Sequence, residues 1–189
     1  MTIQHNTITG SDLHEPKGVA AAAANKVYVS NGSASGTWTT LSTSVTAFPK
    51  GRFFFYNTGS PYTMTYGGAT QKLAPTTTAS ALASLVTEAT SARLTYTGSP
   101  TTTVKLDFDA GVVQSTGSTK AITLAVHKNG SVITGSEIYL STTTAENYNV
   151  SGSCLVSAAT NDYFEVYAFN TGGSGNLVFN KLALTLTAT

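Results

Sequence analysis

The last hundred or so residues of this chain carry a two-residue rhythm that leaves few folds open. Val104, Leu106 and Phe108 alternate with Lys105, Asp107 and Asp109. Ile122, Leu124 and Val126 alternate with Thr123, Ala125 and His127, and Leu182, Leu184 and Leu186 with Ala183, Thr185 and Thr187. Successive side chains of a strand point to opposite faces, so each run predicts a strand with one face on a core and the other in water. Asn129-Gly130 follows the second run at once and predicts a tight hairpin, with Ile138 to Leu140 in the returning strand. Asn161-Asp162 predicts a turn into the strand Tyr163 to Phe169, and Thr171 to Gly175 a loop.

Upstream, Arg52-Phe53-Phe54-Phe55-Tyr56 is a continuous aromatic run, expected where a strand is covered on both faces. Asn57 to Pro61 reads as a turn before a second strand at Tyr62 to Tyr66, while Ala79 to Glu88 stays open between a helical turn and extended chain. Short strands separated by turns, with no long helix and no internal repeat, predict an all-β sandwich or barrel. Residues 1 to about 46 differ: they are polar, glycine-containing and irregular, and cannot bury a core alone. Pro16 could open one helical turn over Val19 to Ala24, and Asn31 to Gly36 reads as a turn or flexible link. The predicted organisation is an arm over 1–46 and a β-sandwich head over 47–189.

Charged residues make up only 10% of the 189, against about 25% in an ordinary soluble domain, and Thr, Ser, Gly and Asn take their place. Such surfaces are common on extracellular β-proteins and virion proteins. The net charge is +1 and Lys and Arg do not cluster, which excludes nucleic-acid binding through phosphates. No apolar run of about 18 residues is present, so no membrane-spanning helix is expected. Met1 to Asn6 lacks the basic and apolar regions of a signal peptide, as expected of a protein assembled in the cytoplasm and released by lysis. Cys154 is the single cysteine, so no intrachain disulfide can form, and its parity with Tyr148, Val150 and Val156 predicts a buried, inert thiol.

The usual carriers of catalysis are missing. There is no Gly-x-Ser-x-Gly elbow, no phosphate-binding glycine loop and no His-Glu-x-x-His motif. His14 with Asp12 and Glu15 could be drawn as a metal cluster, but an irregular arm does not preorganise ligands, and hydrogen bonding within a docked arm is the expected role. His127, just before Asn129-Gly130, is expected at the solvent edge. Asp107 and Asp109, two apart on one strand, lie roughly 7 Å from each other, near the carboxylate separations of glycosidases. Lys105 shares their row, however, and a solvated face is expected, with calcium binding disfavoured by the low count of acidic ligands. No catalytic residue, metal or cofactor is expected.

In the strand at 163–169, Phe164, Val166 and Ala168 take one face, and Tyr163, Tyr167 and Phe169 the other. Only one face can line the interior. The second must be covered by another subunit or by the same chain, the aromatic run at 53–56 being a candidate cover. Aromatic side chains are enriched in interface cores, so Tyr163, Tyr167 and Phe169 are the expected interface with another subunit.

Two resemblances refine this reading. The segment Ala121 to Gly130, then Asn161-Asp162-Tyr163-Phe164-Glu165-Val166-Tyr167, then the leucine-alternating last strand, resembles the second half of the C1q/TNF-like jelly rolls. Those domains carry a strand ending in Asn-Gly and later a Gly-Asp-Tyr type turn; here Asn161 stands in place of the glycine. That resemblance implies an antiparallel jelly-roll sandwich and a trimeric head, with Tyr163, Tyr167 and Phe169 at the trimer interface. The front, Thr9 to Ala22 with Lys26-Val27-Tyr28-Val29 and Gly36-Thr37-Trp38, resembles a leader of tailed-phage structural proteins. It implies a virion anchor comprising Ser11, Asp12, Leu13, His14, Glu15, Pro16, Lys17, Val27, Tyr28 and Trp38. Together the two imply a non-enzymatic homotrimer on the virion surface, a capsid decoration or head-fibre protein docked on the major capsid protein or another virion protein, without nucleic-acid or membrane partners. The alternative is a tail-fibre or other receptor-binding module holding host surface glycans, with loops 57–62, 141–149 and 170–176 as candidates.

Overall fold

A computed structural model describes residues 26–30, 36–40, 48–65, 69–79, 83–113, 120–142, 147–170 and 176–189. The chain divides into two units, residues 1–46 and 47–189. In the first, β1 (Lys26–Ser30) and β2 (Gly36–Thr40) form an antiparallel pair that aligns Tyr28 with Trp38. The irregular chain expected throughout 1–46 is therefore interrupted by a hairpin. Val27-Tyr28-Val29 and Thr37-Trp38-Thr39 hold the β-branched and aromatic residues that favour extended backbone.

The second unit is an all-β antiparallel jelly-roll sandwich, without a helix among the described residues. Its strands are β3 (Lys50–Tyr56), β4 (Tyr62–Met64), β5 (Gln71–Lys72), β6 (Thr78–Ala79), β7 (Val86–Ala89), β8 (Arg93–Tyr96) and β9 (Thr102–Val113). They continue as β10 (Lys120–Lys128), β11 (Ser131–Val132), β12 (Ile138–Thr142), β13 (Asn147–Ala158), β14 (Tyr163–Asn170) and β15 (Leu177–Ala188). Sheet I runs β11-β10-β14-β8-β7, with β12 also on β10 and β5 on β14; sheet II runs β13-β9-β15-β3-β6, with β4 on β15.

The alternating apolar residues meet between the sheets. Phe53, Val104, Leu106, Phe108, Leu182, Leu184 and Leu186 of sheet II and Leu94, Ile122, Leu124, Val126, Phe164, Val166 and Ala168 of sheet I are all buried in one core. At roughly 1.5–3 kcal/mol for each large side chain removed from water, this layer is the main source of stability. Of the segment left open at 79–88, residues 80–82 lie outside the described residues; Ser84 bridges to Lys50 and β7 follows.

Local turn chemistry matches the residues present. Asn129 and Gly130 both take positive φ, 52° and 82°, as a two-residue hairpin requires. The returning strand, expected at Ile138 to Leu140, is split instead. β11 pairs for two residues, the chain then leaves the ladder, and β12 resumes on β10. The buried Ser136 hydroxyl fills the gap by accepting from Val126 N–H at 3.0 Å and donating to the Val126 carbonyl at 3.2 Å. Asn161 has φ 71°, a left-handed conformation that asparagine tolerates better than most residues, which accounts for its place where the resemblance expects glycine.

Candidate functional site

The sandwich presents two outer faces. On sheet I, Glu165 points outward from β14 and yet is only 2% exposed. Lys72 of β5 donates to its Oε1 at 2.6 Å, Arg93 Nε of β8 donates to the same oxygen at 2.7 Å, and the Tyr167 hydroxyl donates to Oε2 at 3.3 Å. Burial would push the Glu165 carboxyl up; the hydrogen bonds and charges of Lys72 and Arg93 outweigh it and hold the group below the ordinary carboxylate range. Burial, followed by the Glu165 charge, pushes the Tyr167 phenol up.

The rings predicted on this face are there, and two of them have partners in their own chain. The Arg93 guanidinium lies 4.1 Å from the Tyr163 ring centroid. His127 and Tyr167 stack with centroids 3.9 Å apart and planes at 16°. His127 is 8% exposed, not the solvent-edge residue expected, because β10 is a central strand whose outer face is covered by this stack. Its Nδ1 lies 3.1 Å from the Gly130 carbonyl, which can only accept, so Nδ1 carries the proton. Phe169 is half-buried. The aromatic run at 53–56 belongs to sheet II and takes no part in covering these rings.

Beside the stack runs a groove of about 410 Å³. Thr123 and Ala125 of β10 form its floor, with Tyr139 and Val132 on one side and Tyr167 and Phe169 on the other. No sequence pattern pointed to it, because its walls come from three strands separated along the chain. At the end of the sheet the Asp162 carboxylate accepts from Asn129 Nδ2 and Ala159 N–H, each at 2.7 Å, and pairs with Lys128 Nζ at 2.7 Å. Burial would raise the Asp162 carboxyl, but these donors lower it. They tie the Asn129-Gly130 hairpin to the loop before β14.

The outer face of sheet II is organised in cross-strand rows. From β13 to β3 one row reads Ser153, Asp107, Thr185, Arg52; the next Ser151, Asp109, Ala183, Phe54; the next Asn149, Gly111, Lys181, Tyr56. The β3 side is therefore aromatic and basic, and the β9–β13 side hydroxylic and acidic. Phe54 is 37% and Tyr56 71% exposed, with the Arg52 guanidinium 5.6 Å from the Phe54 centroid. Among the described residues no layer stands above the second face of the run at 52–56, so the double covering expected there is not formed by them. Arg52 N–H is held by Glu88 Oε1.

Asp107 pairs with Lys105 at 2.8 Å, both of them substantially exposed, as a solvated row requires. Asp107 and Asp109 line an open depression of about 450 Å³ with Phe108, Ser151, Gly152 and Ser153. Among the described residues no group of three or more His, Cys, Asp or Glu could hold a metal ion. Cys154 is half-buried, less enclosed than expected, and burial followed by the Asp107 charge pushes its thiol up, away from the reactive thiolate.

Of the predicted anchor, Ser11, Asp12, Leu13, His14, Glu15, Pro16 and Lys17 lie outside the described residues, while Val27, Tyr28 and Trp38 fall within β1 and β2. Of the candidate glycan loops, 143–146 and 171–175 lie outside the described residues; in 57–62, Asn57 Oδ1 closes a turn by accepting from Gly59 and Ser60 N–H at 3.0 and 2.8 Å.

No protein-family model and no curated protein matches the sequence. Among solved structures the chain is similar to Eiger, a TNF from S. frugiperda, at 12% identity and a TM-score of 0.50, over 76% of this chain and 93% of that one. It is also similar to the PRD1 vertex protein (10% identity, TM-score 0.49, 75% and 97% of the two chains). A third is the globular domain of zebrafish complement 1qA (15%, 0.44, 75% and 96%). At this level of identity the first likeness is one of fold. The fold is an all-β antiparallel jelly roll, similar to that of the TNF Eiger.

Proposed function

We propose that this protein is a non-enzymatic structural component of a phage virion, a self-associating capsid decoration or head-fibre module carried by its front segment. The observation that carries self-association is the run at 52–56. Its residues have the composition of a doubly covered strand, and the described residues cover one side only, with Phe54 37% and Tyr56 71% exposed. With Tyr163 and Tyr167 already against Arg93 and His127, the need for a neighbouring subunit falls on sheet II rather than on the rings of β14.

The unlike edges of the sheet II face suit a head-to-tail contact that closes into a ring. Arg52, Phe54 and Tyr56 of one copy would meet Asp107, Asp109, Ser151 and Ser153 of the next, joining a basic aromatic edge to an acidic one. The C1q/TNF-like resemblance favours closure at three. Attachment would come from residues 1–46, whose resemblance to a phage leader suggests docking on the major capsid protein or another virion protein. Three linked arms bind far more tightly than one.

Light scattering on the full chain tests the assembly: the expected mass is three times 19.5 kDa, and a monomer at all concentrations would sink it. Deleting residues 1–46 should leave an assembled head that no longer attaches to the parent particle.

A further inference from the structure

We propose that the groove on sheet I binds a neutral saccharide, an activity beyond the structural role above and complete within one protomer. The register builds it. Tyr139 of β12 and Phe169 of β14 flank Thr123 on β10, and Tyr167 stands beside Ala125 in the next row. Two small side chains between large rings leave a trough of about 410 Å³, within the roughly 300–1,000 Å³ of ligand sites.

Tyr139 is 78% exposed, so its ring contributes little to the protomer's own packing. A flat ring standing in water suits the face of a pyranose, whose C–H hydrogens meet the negative π-face while its hydroxyls stay at the rim. Hydrogen-bonding groups stand among the rings: the hydroxyls of Thr70, Thr123 and Tyr139 and the carboxylate of Glu137. Gly135 N–H donates to Glu137 Oε2 at 2.7 Å and fixes that carboxylate in place.

Charge selects among saccharides. Glu137 is the acidic side chain lining the groove, and no Lys or Arg lines it. The nearest cations described on this face, Lys72 and Arg93, are held by Glu165. A carboxylate or phosphate ligand would be repelled by Glu137 and meet no Lys or Arg among the described lining residues, whereas a neutral polyol can donate to Glu137 and stack on Tyr139.

The test is full-length protein on an array of immobilised neutral oligosaccharides built from hexoses and N-acetylhexosamines, with sialylated counterparts. Binding to at least one neutral set is expected. It should weaken about tenfold in Tyr139→Ala, the loss of one stacking contact. Ala125→Leu, which fills the floor, should lose it too, with circular dichroism confirming that each variant is folded. Absence of binding to every neutral glycan, preference for the sialylated set, or binding unchanged in both variants would overturn the proposal. A monomer in light scattering would defeat the assembly reading and leave this one standing.

Discussion

The two outer faces of this sandwich solve the same problem in different ways. Sheet I carries Tyr163, Tyr167 and Glu165 outward and satisfies them within the chain, through Arg93, His127 and Lys72. Sheet II carries Phe54 and Tyr56 outward and leaves them uncovered, beside an exposed Lys105–Asp107 pair. The difference follows from what lies next to each strand. β14 is flanked by β10, β5 and β8, and Lys72, Arg93 and His127 from those strands reach over it. β3 is edged by the two-residue β6, the Ser84 bridge and the Glu88 carboxylate, which engage its backbone rather than its outer rings. On sheet I the Tyr163 and Tyr167 rings of β14 are partnered within the chain, while Tyr139 stands 78% exposed beside the groove. A face left open is where assembly energy is available.

The sharpest way to break this contrast is to unpair the closed face. Glu165→Ala leaves two cations without their acid beside packed rings and should cost about 3 kcal/mol, less than a fully enclosed pair because Lys72 and Arg93 reach water. Urea denaturation measures it; a loss under about 1 kcal/mol would mean that the network is not what closes sheet I. Removing the aromatics of the open face should do the reverse. Phe54→Ser with Tyr56→Ser should weaken assembly by about 2 kcal/mol or more while leaving protomer unfolding nearly unchanged, read by sedimentation at decreasing concentration. Assembly that survives this double change would move the interface elsewhere.

Asp162→Ala removes three donors' acceptor at the end of sheet I and should cost about 1–2 kcal/mol. The pH dependence distinguishes the faces as well. Glu165 and Asp162 have folded-state carboxyls below their ordinary values. Their contribution is complete above the unfolded-state range, about pH 4–5, and disappears as pH falls through the lower folded-state values. The urea midpoint should therefore drop on acidification, and drop less steeply in Glu165→Gln. Smallest of all, Lys105→Ala on the open face should change stability by under about 1 kcal/mol, since an exposed pair is screened by water.

Much of the fold was legible from residue order alone. Period-two alternation predicts which side of β9, β10 and β15 faces the core, and Asn129-Gly130 predicts its own turn, because these depend on backbone geometry within a few residues. His127 was misjudged because its burial comes from Tyr167, forty residues away along the chain, stacking across a strand pair. The groove escaped notice for the same reason: Thr70, Thr123, Tyr139 and Phe169 become neighbours only through strand order. The described residues do not supply the second cover expected over 52–56, because composition records what a strand can bury, not which layer arrives to bury it.

The sequence by itself determined the element type, the inward set of side chains and the hairpin turn, all consequences of local dihedral preference and parity. Which outward rings find partners, and which remain open, was decided by the tertiary structure. A strand's second face is covered only by residues that pairing order and register bring beside it, and those lie far away along the chain.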